Sequence, residues 1–333
     1  MIKTRVPTPL RIIRLLSDGA CHSGSAIGDH LGLTRAGVWK ALRKASDTLG
    51  VEVHAVPGHG YHLTAPLELL DPGLILAALD PQAQARVARL EIHDQIDSTN
   101  SHLMREAAAG APSGTLCLTE HQSAGRGRMG RTWVSPFGSN LYLSLLWRYP
   151  FGPAGMAGLS LAAGAAVADA LRRAGATDIA LKWPNDILWR RRKLAGLLLE
   201  VAGEAQGPAH VVVGVGINTH LDPRDAAAID RPWIDLDQVL GAGTYSRNAL
   251  AATVADALGA ALERYGQEGL APFLADWERY DLYRGERVEI RWGADLVRGI
   301  HLGLDAQGAL RLDTEQGIQT FQAGEVSLRP EGG

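Results

Sequence analysis

A run of arginines and glycines is the feature of this sequence with the clearest chemical use. The stretch AGRGRMGRTW, residues 124–133, contains Arg126, Arg128 and Arg131, and a glycine precedes each of them. Guanidinium groups bind phosphate and carboxylate oxygens in pairs, and glycines let backbone N–H groups come close to a ligand. Three interpretations follow: a phosphate-holding loop of an enzyme, a disordered RNA-binding tract, or a solvated surface turn.

The segments on either side of this loop favour the enzyme. GTLCLTE, residues 114–120, and NLYLSLLWR, residues 140–148, are apolar and typical of buried strands. A disordered tract is not expected between two strands of one folded core. The loop is therefore predicted to belong to a folded body, which we place at residues 66–280 after a proline-bounded linker at 66–72.

Hydrophobic patterns predict the other elements of this body. A turn is expected at 97–107, a long amphipathic helix from Ala157 to Ala174, and three strand-like segments at 178–189, 191–201 and 209–218. The order of helices and strands is mixed, which is typical of an α+β protein.

The composition is that of an ordinary globular protein, with 46% hydrophobic and 21% charged residues. The longest apolar run, Leu159 to Leu171, is too short and too rich in Ala and Gly to span a bilayer, and the N-terminus lacks a signal peptide. We therefore expect a cytoplasmic protein that does not bind membranes. Cys21 and Cys117 are expected to be buried small residues, because no pair of Cys or His has zinc-ligand spacing.

Charge is distributed unevenly along the chain. The net charge is −3, but residues 1–49 carry eight basic and three acidic groups, so the rest of the chain is strongly acidic. A basic segment joined to an acidic body is the footprint of a nucleic-acid-binding domain attached to a second function.

The pattern of this basic segment predicts a winged helix-turn-helix at residues 1–65. Three short helical patterns are followed by a hairpin whose tip is Pro57–Gly60. Thr34 is suited to N-cap the third helix, which would be the recognition helix. A small interaction domain with a merely solvated positive face is the alternative. The residues predicted to contact DNA are Thr34, Arg35, Lys40, Arg43 and Lys44.

Five short motifs, in this order, give the chain a resemblance to biotin protein ligases. With the DNA-binding head present, it resembles the bifunctional bacterial type, which is also the biotin operon repressor. The resemblance extends from Pro7 to about Arg329. In place of the third consecutive basic position often found in the loop of this family, the chain has Met129. The motifs are DSTN (97–100), GRGRMGR (125–131), KWPND (182–186), RKLAGLLLE (192–200) and VGVGIN (213–218).

The resemblance implies a fold of three parts. After the winged helix-turn-helix comes a central catalytic domain related to class II aminoacyl-tRNA synthetases. A small SH3-like β-barrel at residues 281–333 completes the chain, and it would be formed by the short strand-like runs between Arg287 and Leu328.

The resemblance also implies a reaction that suits the arginine loop. ATP would activate the carboxylate of biotin as biotinyl-5′-AMP, a reactive mixed anhydride that must be held by cations and kept from water. The biotin would then pass to a lysine of a biotin carboxyl carrier protein. On this interpretation the loop is a lid over an acyl phosphate.

Site residues are carried over from the motifs one by one. Ser98, Thr99, Asn100 and Gln122 would hydrogen-bond biotin, although DSTN is also a normal helix N-cap sequence. Lys193 would stabilise charge on the α-phosphorus, with Arg128 and Asp186 as the other catalytic residues. The remaining assignments are Arg126 and Gly127 to biotin or its adenylate, and Arg131, Lys182, Asn185, Asn218 and Trp233 to ATP or the adenylate.

Several alternatives stay open at this stage. Asp186 would hold Mg²⁺ or orient the acceptor lysine, and Trp233 would stack on adenine or simply plug a loop. The ligase could be specific for lipoate, or the chain could be a metabolite-sensing DNA-binding regulator without ligase activity. The partners expected are the carrier protein, operator DNA and a second copy of the chain when the adenylate is bound.

Overall fold

A computed structural model describes residues 7–64, 66–292, 295–323 and 326–330. The first part consists of helices α1 (Thr8–Leu16), α2 (Gly24–Leu31) and α3 (Arg35–Leu49), followed by a hairpin of β1 (Val53–Val56) and β2 (Gly60–Leu63). The Thr34 hydroxyl accepts the N–H of Gly37 and so caps α3 as predicted. The winged helix-turn-helix is confirmed.

The head is packed against the body. Phe137, from the segment after the arginine loop, is 4% exposed and belongs to the same hydrophobic cluster as the cores of α1 and α3. Leu67 and Leu69 pack against that cluster from the segment that joins the two parts. The core of the head is thus completed by residues from outside residues 1–65.

The predicted linker at 66–72 is anchored rather than free. Glu68 accepts hydrogen bonds from the Ser246 hydroxyl and from the backbone N–H groups of Arg247 and Asn248. The Arg247 guanidinium in turn donates to the Glu68 carbonyl and to the buried carboxylate of Glu120. Buried charges need such paired partners, so this network holds the segment firmly on the body.

The body is built on one seven-stranded sheet, in the order β3-β4-β5-β9-β8-β7-β6, in which only β3 and β4 are parallel. Its elements are α4 (Pro72–Ala78), α5 (Pro81–Arg86), β3 (Arg89–His93), α6 (Thr99–Ala108), β4 (Thr115–Thr119), β5 (Leu141–Tyr149), α7 (Leu159–Arg173), β6 (Ile179–Lys182), β7 (Asp186–Trp189), β8 (Arg192–Gly203), β9 (Ala209–Ile217), α8 (Pro223–Ala226), α9 (Leu236–Leu240), α10 (Arg247–Glu268) and α11 (Ala271–Tyr280).

The strand-like segment 178–189 is the hairpin β6–β7, and it turns at 183–185, where Pro184 in the sequence predicts a turn. One prediction about this body was wrong in detail. The expected turn at 97–107 is mostly helix α6, which begins at Thr99 after the N-cap Ser98. Helix α7 lies where a helix was predicted.

Helix α7 and the short 3₁₀ turn before it form the one segment, among the described residues, that is long and apolar enough to cross a membrane. The segment, Pro153–Arg173, has 21 residues, so it is longer than the apolar run considered in the sequence. Its apolar 18-residue stretch is 61% buried, and most of its apolar residues belong to the main hydrophobic core. The helix is therefore a core helix of the body.

The last part of the chain, where an SH3-like β-barrel was predicted, is a small five-stranded antiparallel sheet. Its strands, in the order β13-β12-β11-β10-β14, are β10 (Arg287–Trp292), β11 (Asp295–Leu304), β12 (Leu310–Thr314), β13 (Gly317–Phe321) and β14 (Val326–Pro330). The buried pair of His301 and Asp281, with Nε2 and Oδ2 2.7 Å apart, joins this sheet to the chain after α11. The Trp183 indole also donates to the Gly308 carbonyl across the boundary.

The two cysteines differ from each other. Cys117 is fully buried on β4, as expected, and burial raises the pKa of its thiol. Cys21 is exposed, so the prediction that both are buried was wrong for this residue. It lies in the turn before α2, where the short helices of the head leave backbone segments uncovered.

Candidate active site

One cavity of about 650 Å³ lies above the strands β7, β8 and β9. Every residue that the sequence analysis assigned to ligand binding or catalysis in the body contributes to its walls. Twelve of these fourteen residues come from the five motifs, and Gln122 and Trp233 lie outside them, so the fold brings together residues that the chain spaces widely. They are Ser98, Thr99, Asn100, Gln122, Arg126, Gly127, Arg128, Arg131, Lys182, Asn185, Asp186, Lys193, Asn218 and Trp233.

The floor of the cavity is made of glycines covered by an indole ring. A Cβ atom on Gly216 would lie 2.5 Å from the ring of Trp133, so the ring rests directly on the backbone of β9. The Trp133 Nε1 group is buried and has no hydrogen-bond partner among the described residues. Sequence analysis missed Trp133, although it stands two residues after the arginine loop.

The first turn of α6 forms the polar end of the cavity. Ser98, Thr99 and Asn100 are all buried, and the Ser144 hydroxyl lies 2.7 Å from both the Thr99 hydroxyl and Asn100 Oδ1. Ser98 caps the helix by accepting the N–H of Ser101. The N-cap reading of DSTN and its place in the cavity are therefore both true of the structure.

The side chains of Asn100 and Gln122 already form hydrogen bonds with other parts of the protein. Both N–H donors of Asn100 are used, by the Leu198 carbonyl and by Glu200. Gln122 accepts from the Thr99 N–H and donates to the Ser135 hydroxyl. Asn100 therefore positions α6 against β8, and the Thr99 hydroxyl, which lines the cavity, also donates to Gln122.

The arginine loop folds back on itself and closes one side of the cavity. Gly127 N–H donates to the Arg131 carbonyl at 2.7 Å, and Met129 takes a left-handed conformation at the tip with φ 56°. Arg126 pairs with Glu200 and donates to Ser101. Arg128 donates to Asn185 and to the Ala323 carbonyl of the C-terminal sheet, each at 3.0 Å. Burial lowers the pKa of Arg128.

The two lysines and the aspartate of the central motifs lie on one wall. Lys193 Nζ is 2.6 Å from Asp186 Oδ1, and both side chains are largely buried. Burial would raise the pKa of Asp186, but the charge and hydrogen bond of Lys193, helped by Lys182, lower it below its usual range. Burial lowers the pKa of Lys182. Asp186 is therefore an ionised partner that fixes the Lys193 ammonium.

The segment 231–234 holds this wall in place. The Lys193 N–H donates to the Pro232 carbonyl, and the Lys193 carbonyl accepts from the Ile234 N–H, which puts Trp233 beside Lys193. Asn218 is buried and uses both amide protons on the Lys193 and Ile234 carbonyls. Its donors thus position the backbone around Lys193.

Positive charge dominates the cavity. Eight cationic side chains and two acidic ones, Asp186 and Asp230, contribute to its walls. Sequence analysis missed three of these cations because Arg191, Arg231 and Arg329 lie outside the quoted core of any motif. The cavity is built for a strongly anionic ligand. The eight are Arg126, Arg128, Arg131, Lys182, Arg191, Lys193, Arg231 and Arg329.

The DNA-facing candidates lie on a separate surface. All five are exposed on α3 or at its N-cap, while the opposite face of the helix buries Val38 and Leu42. Trp39 is 52% exposed on the same helix, with the Arg43 guanidinium 5.7 Å from its ring centre. Sequence analysis did not include Trp39. The five are Thr34, Arg35, Lys40, Arg43 and Lys44.

Three family profiles match the chain. Residues 10–62 match an HTH domain, residues 92–218 match the Biotin/lipoate A/B protein ligase family, and residues 284–329 match the Biotin protein ligase C terminal domain. They follow the three parts of the fold in order.

Known proteins agree with this division. The chain is 43% identical over 322 residues to the bifunctional ligase/repressor BirA of Escherichia coli, which covers 96% of this chain and 97% of that protein. It is 36% identical over 245 residues to the biotin–[acetyl-CoA-carboxylase] ligase of Mycobacterium tuberculosis, covering 72% of this chain and 88% of that one. The structure resembles the biotin protein ligase of Aquifex aeolicus in complex with biotin and ATP, with a TM-score of 0.63 and 28% identity over 73% of this chain and all of the other. The chain therefore belongs to the biotin protein ligase family, among the bifunctional ligase/repressors.

Proposed function

We propose that this protein activates biotin with ATP as biotinyl-5′-AMP and transfers it to a lysine of a biotin carboxyl carrier protein. The observation that carries this proposal is the cavity itself, whose walls hold the Lys193–Asp186 pair and seven further cations beside a partly apolar floor. An acyl adenylate has both an anionic phosphate and an apolar acyl chain. The cavity offers a place for each.

The chain's own residues account for the first step. Lys193 stands where an ammonium would neutralise charge that develops as a biotin carboxylate oxygen attacks the α-phosphorus and pyrophosphate leaves. Asp186 holds that ammonium in position before the substrates arrive. Ser98 and Thr99, at the start of α6, and the indole ring of Trp133 would orient the biotin rings.

In the second step, the amine of the acceptor lysine attacks the acyl carbon and AMP leaves. The arginine loop would hold the phosphate and exclude water until the carrier arrives. Arg128 would contribute most, because it is the loop arginine drawn inward by Asn185. Arg131 is exposed at the outer end of the loop and would contact the nucleotide after the other loop arginines.

We propose that Mg²⁺ enters with the phosphates of ATP. Asp186 and Asp230 are the acidic side chains of the cavity walls, and Asp186 is engaged by Lys193. Mg²⁺ commonly uses one or two carboxylates together with substrate phosphates, so the residues present fit an ion shared with the nucleotide. Asp186 would be its protein ligand.

Two alternatives can be weighed against this function. A lipoate ligase is covered by the same catalytic family profile, but the C-terminal profile and the relatives named above are those of biotin ligases. A regulator that only senses biotin would not need the adenylation charges, and Lys193, Asp186 and Arg128 are all in place.

One assay tests the ligase. Purified protein is incubated with ATP, Mg²⁺ and radiolabelled biotin, and adenylate formation and transfer to a carrier domain are followed, with lipoate supplied in a parallel reaction. We expect transfer with biotin, loss of it in Lys193→Ala, and unchanged transfer in Arg190→Ala, whose charge pairs with Asp178 outside the cavity. Absence of adenylate, or equal use of lipoate, would refute the proposal.

We further propose that the head binds an operator of biotin synthesis genes as part of a dimer, in the cytoplasm. One winged helix makes few phosphate contacts, so two copies on an inverted repeat are needed for tight binding. Strand β8 continues to Gly203 past its last partner in β7, Gly196, so one edge of the sheet is open there among the described residues. Glu200 on this edge binds Arg126, which places the arginine loop beside it.

An open strand edge can pair with the same edge of a second copy. Adenylate that orders the loop would then favour pairing and, through it, DNA binding. Ultracentrifugation and gel shifts with and without biotin and ATP test this coupling. We expect Lys44→Ala to weaken DNA binding and to reduce its salt dependence, whereas Arg264→Ala, on the body, should change neither. A monomer that binds DNA equally with and without ligands would overturn the proposal.

A further inference from the structure

A second group of side chains with chemical potential lies at the edge of the sheet, apart from the cavity. Glu91 and His93 are on β3, Cys117 is on β4, and His102 is on α6. Glu91 lies directly opposite Cys117 in the parallel β3–β4 ladder, and His93 is two residues further along β3, so these three share one face of the sheet. Helix α6 covers that face and brings His102 to it.

The contacts within the group converge on one oxygen. His102 Nε2 lies 2.7 Å from Glu91 Oε2, and His93 Nε2 lies 3.4 Å from the same oxygen. The two imidazole ring centres are 4.7 Å apart. With the Cys117 sulfur included, the four atoms that could coordinate an ion all lie within 4.8 Å of one another.

These distances are close to those of a metal site. Bonds of about 2.0–2.3 Å in a tetrahedral site place neighbouring ligand atoms about 3.4–3.8 Å apart. The four side chains therefore need movements of about 1 Å or less, which rotation of partly exposed imidazoles allows. The exposed fractions of Glu91, His93 and His102 are 20%, 32% and 18%, so an ion can reach the group from solvent.

We propose that Glu91, His93, His102 and Cys117 bind a divalent transition-metal ion of the zinc class. Two imidazole nitrogens, one carboxylate oxygen and one thiolate suit zinc or cobalt, whereas magnesium and calcium prefer oxygen ligands throughout. Binding displaces the proton of the Cys117 thiol, because the thiolate is the form that coordinates metals.

The surrounding charges fit such a site. Arg89 pairs with Glu91 through Oε1 and also with Glu106, so the carboxylate is held with its second oxygen turned toward the two histidines. A carboxylate fixed in this way can coordinate an ion through one oxygen without first changing its orientation. The ion would add bonds between α6 and strands β3 and β4 next to the turn that carries Ser98 and Thr99.

Cobalt titration of the full-length protein, after treatment with a chelator, tests the site. We expect one equivalent of Co²⁺ to bind with a thiolate-to-cobalt charge-transfer band, and Zn²⁺ to displace it. Cys117→Ala should lose this band, and Cys21→Ala, which removes the other cysteine, should keep it. Zn²⁺ should raise the thermal midpoint of the wild type by several degrees but not that of Cys117→Ala.

A second variant guards against misfolding of the buried cysteine mutant. His102→Gln keeps a polar group on a partly exposed helix face and should weaken Co²⁺ binding by at least about tenfold, with unchanged circular dichroism. Absence of the band in the wild type, a band that survives in Cys117→Ala, or equal affinity in His102→Gln would overturn the proposal.

Discussion

Lys193 and Asp186 form a 2.6 Å ion pair across the β7–β8 hairpin, with Lys182 completing the charged cluster on the same wall. The pair stands in the cavity before any ligand is present. The ammonium is thus held by a rigid hairpin rather than by a loop, and little rearrangement is needed when charge develops on a substrate.

We expect Lys193→Ala to slow adenylate formation by about 100-fold or more while the Kd for biotin changes little, because the ammonium acts mainly as charge develops. Pre-steady-state adenylation rates and equilibrium binding measure the two effects separately. Arg192→Ala is the matched control, since its guanidinium faces Trp189 outside the cavity. An unchanged adenylation rate in Lys193→Ala would remove this residue from the chemistry.

Two glycines of the arginine loop should respond differently to alanine. A Cβ on Gly125 would lie 2.5 Å from the Trp133 carbonyl, whereas the nearest atom to a Cβ on Gly127 is 3.5 Å away. Gly125→Ala should therefore distort the loop and lower the free energy of unfolding. Gly127→Ala should leave thermal stability unchanged but weaken adenylate binding, if a phosphate approaches its backbone. Thermal melts combined with calorimetry distinguish these results, and normal adenylate affinity in Gly127→Ala would contradict the second.

Arg128→Ala should shorten the lifetime of the bound adenylate. The variant removes the two hydrogen bonds that join the loop to Asn185 and to the C-terminal sheet, so the loop should open more often and admit water. The half-life of isolated protein–adenylate complex measures this, with Arg190→Ala as control. Equal half-lives would show that the loop is not a lid.

Lowering the pH should reduce the stability of the fold at the start of α6. Hydrogen bonds from Arg105 lower the pKa of Asp97 from 3.8 to about 2. A lowered pKa contributes stability that is present above about pH 4 and is lost as the pH falls toward 2. The pair is half exposed, so we expect roughly 1 kcal/mol or less. Asp97→Asn should flatten the fall of unfolding free energy in this pH window, and an identical acid profile would exclude the pair as its cause.

Removal of residues 1–65 should abolish DNA binding and also destabilise the ligase body. Phe137, Leu67 and Leu69 would lose the head that covers them. Exposing a large apolar side chain costs about 1.5–3 kcal/mol when it had been fully buried. Denaturant unfolding of the shortened chain measures the loss, and Phe137→Ser in that chain should improve solubility. A shortened chain as stable as the full one would show that head and body are independent.

The sequence predicted the parts of this molecule that depend on local pattern. The winged helix-turn-helix was predicted from alternating residues in its hairpin, apolar stripes in its helices and Thr34 as an N-cap. The motifs predicted which residues of the body gather in one cavity. The roles of those residues remain predictions. It did not predict α10, whose 22 residues include many small alanines and glycines and do not form the strong apolar stripe of an amphipathic helix.

Features that depend on tertiary contact were also missed. Nothing local to Trp133 shows that Gly216 will lie beneath its ring, because the two are far apart in sequence. The group of Glu91, His93, His102 and Cys117 was invisible for the same reason, since zinc-ligand spacing detects sites built within one loop. The anchoring of 66–72 depended on Glu68 meeting α10, 178 residues later.

The hydrogen bond from Arg128 to the Ala323 carbonyl joins the arginine loop to the C-terminal part of the chain at the edge of the cavity. A product that leaves past the arginine loop would have to break this contact, so the rate of exit depends on the C-terminal sheet, which also contributes Arg329 to the cavity wall. Substitutions near residue 323 would then alter turnover without altering the bond-making step, as happens when release limits an enzyme. The C-terminal sheet would then limit the rate of turnover through product release.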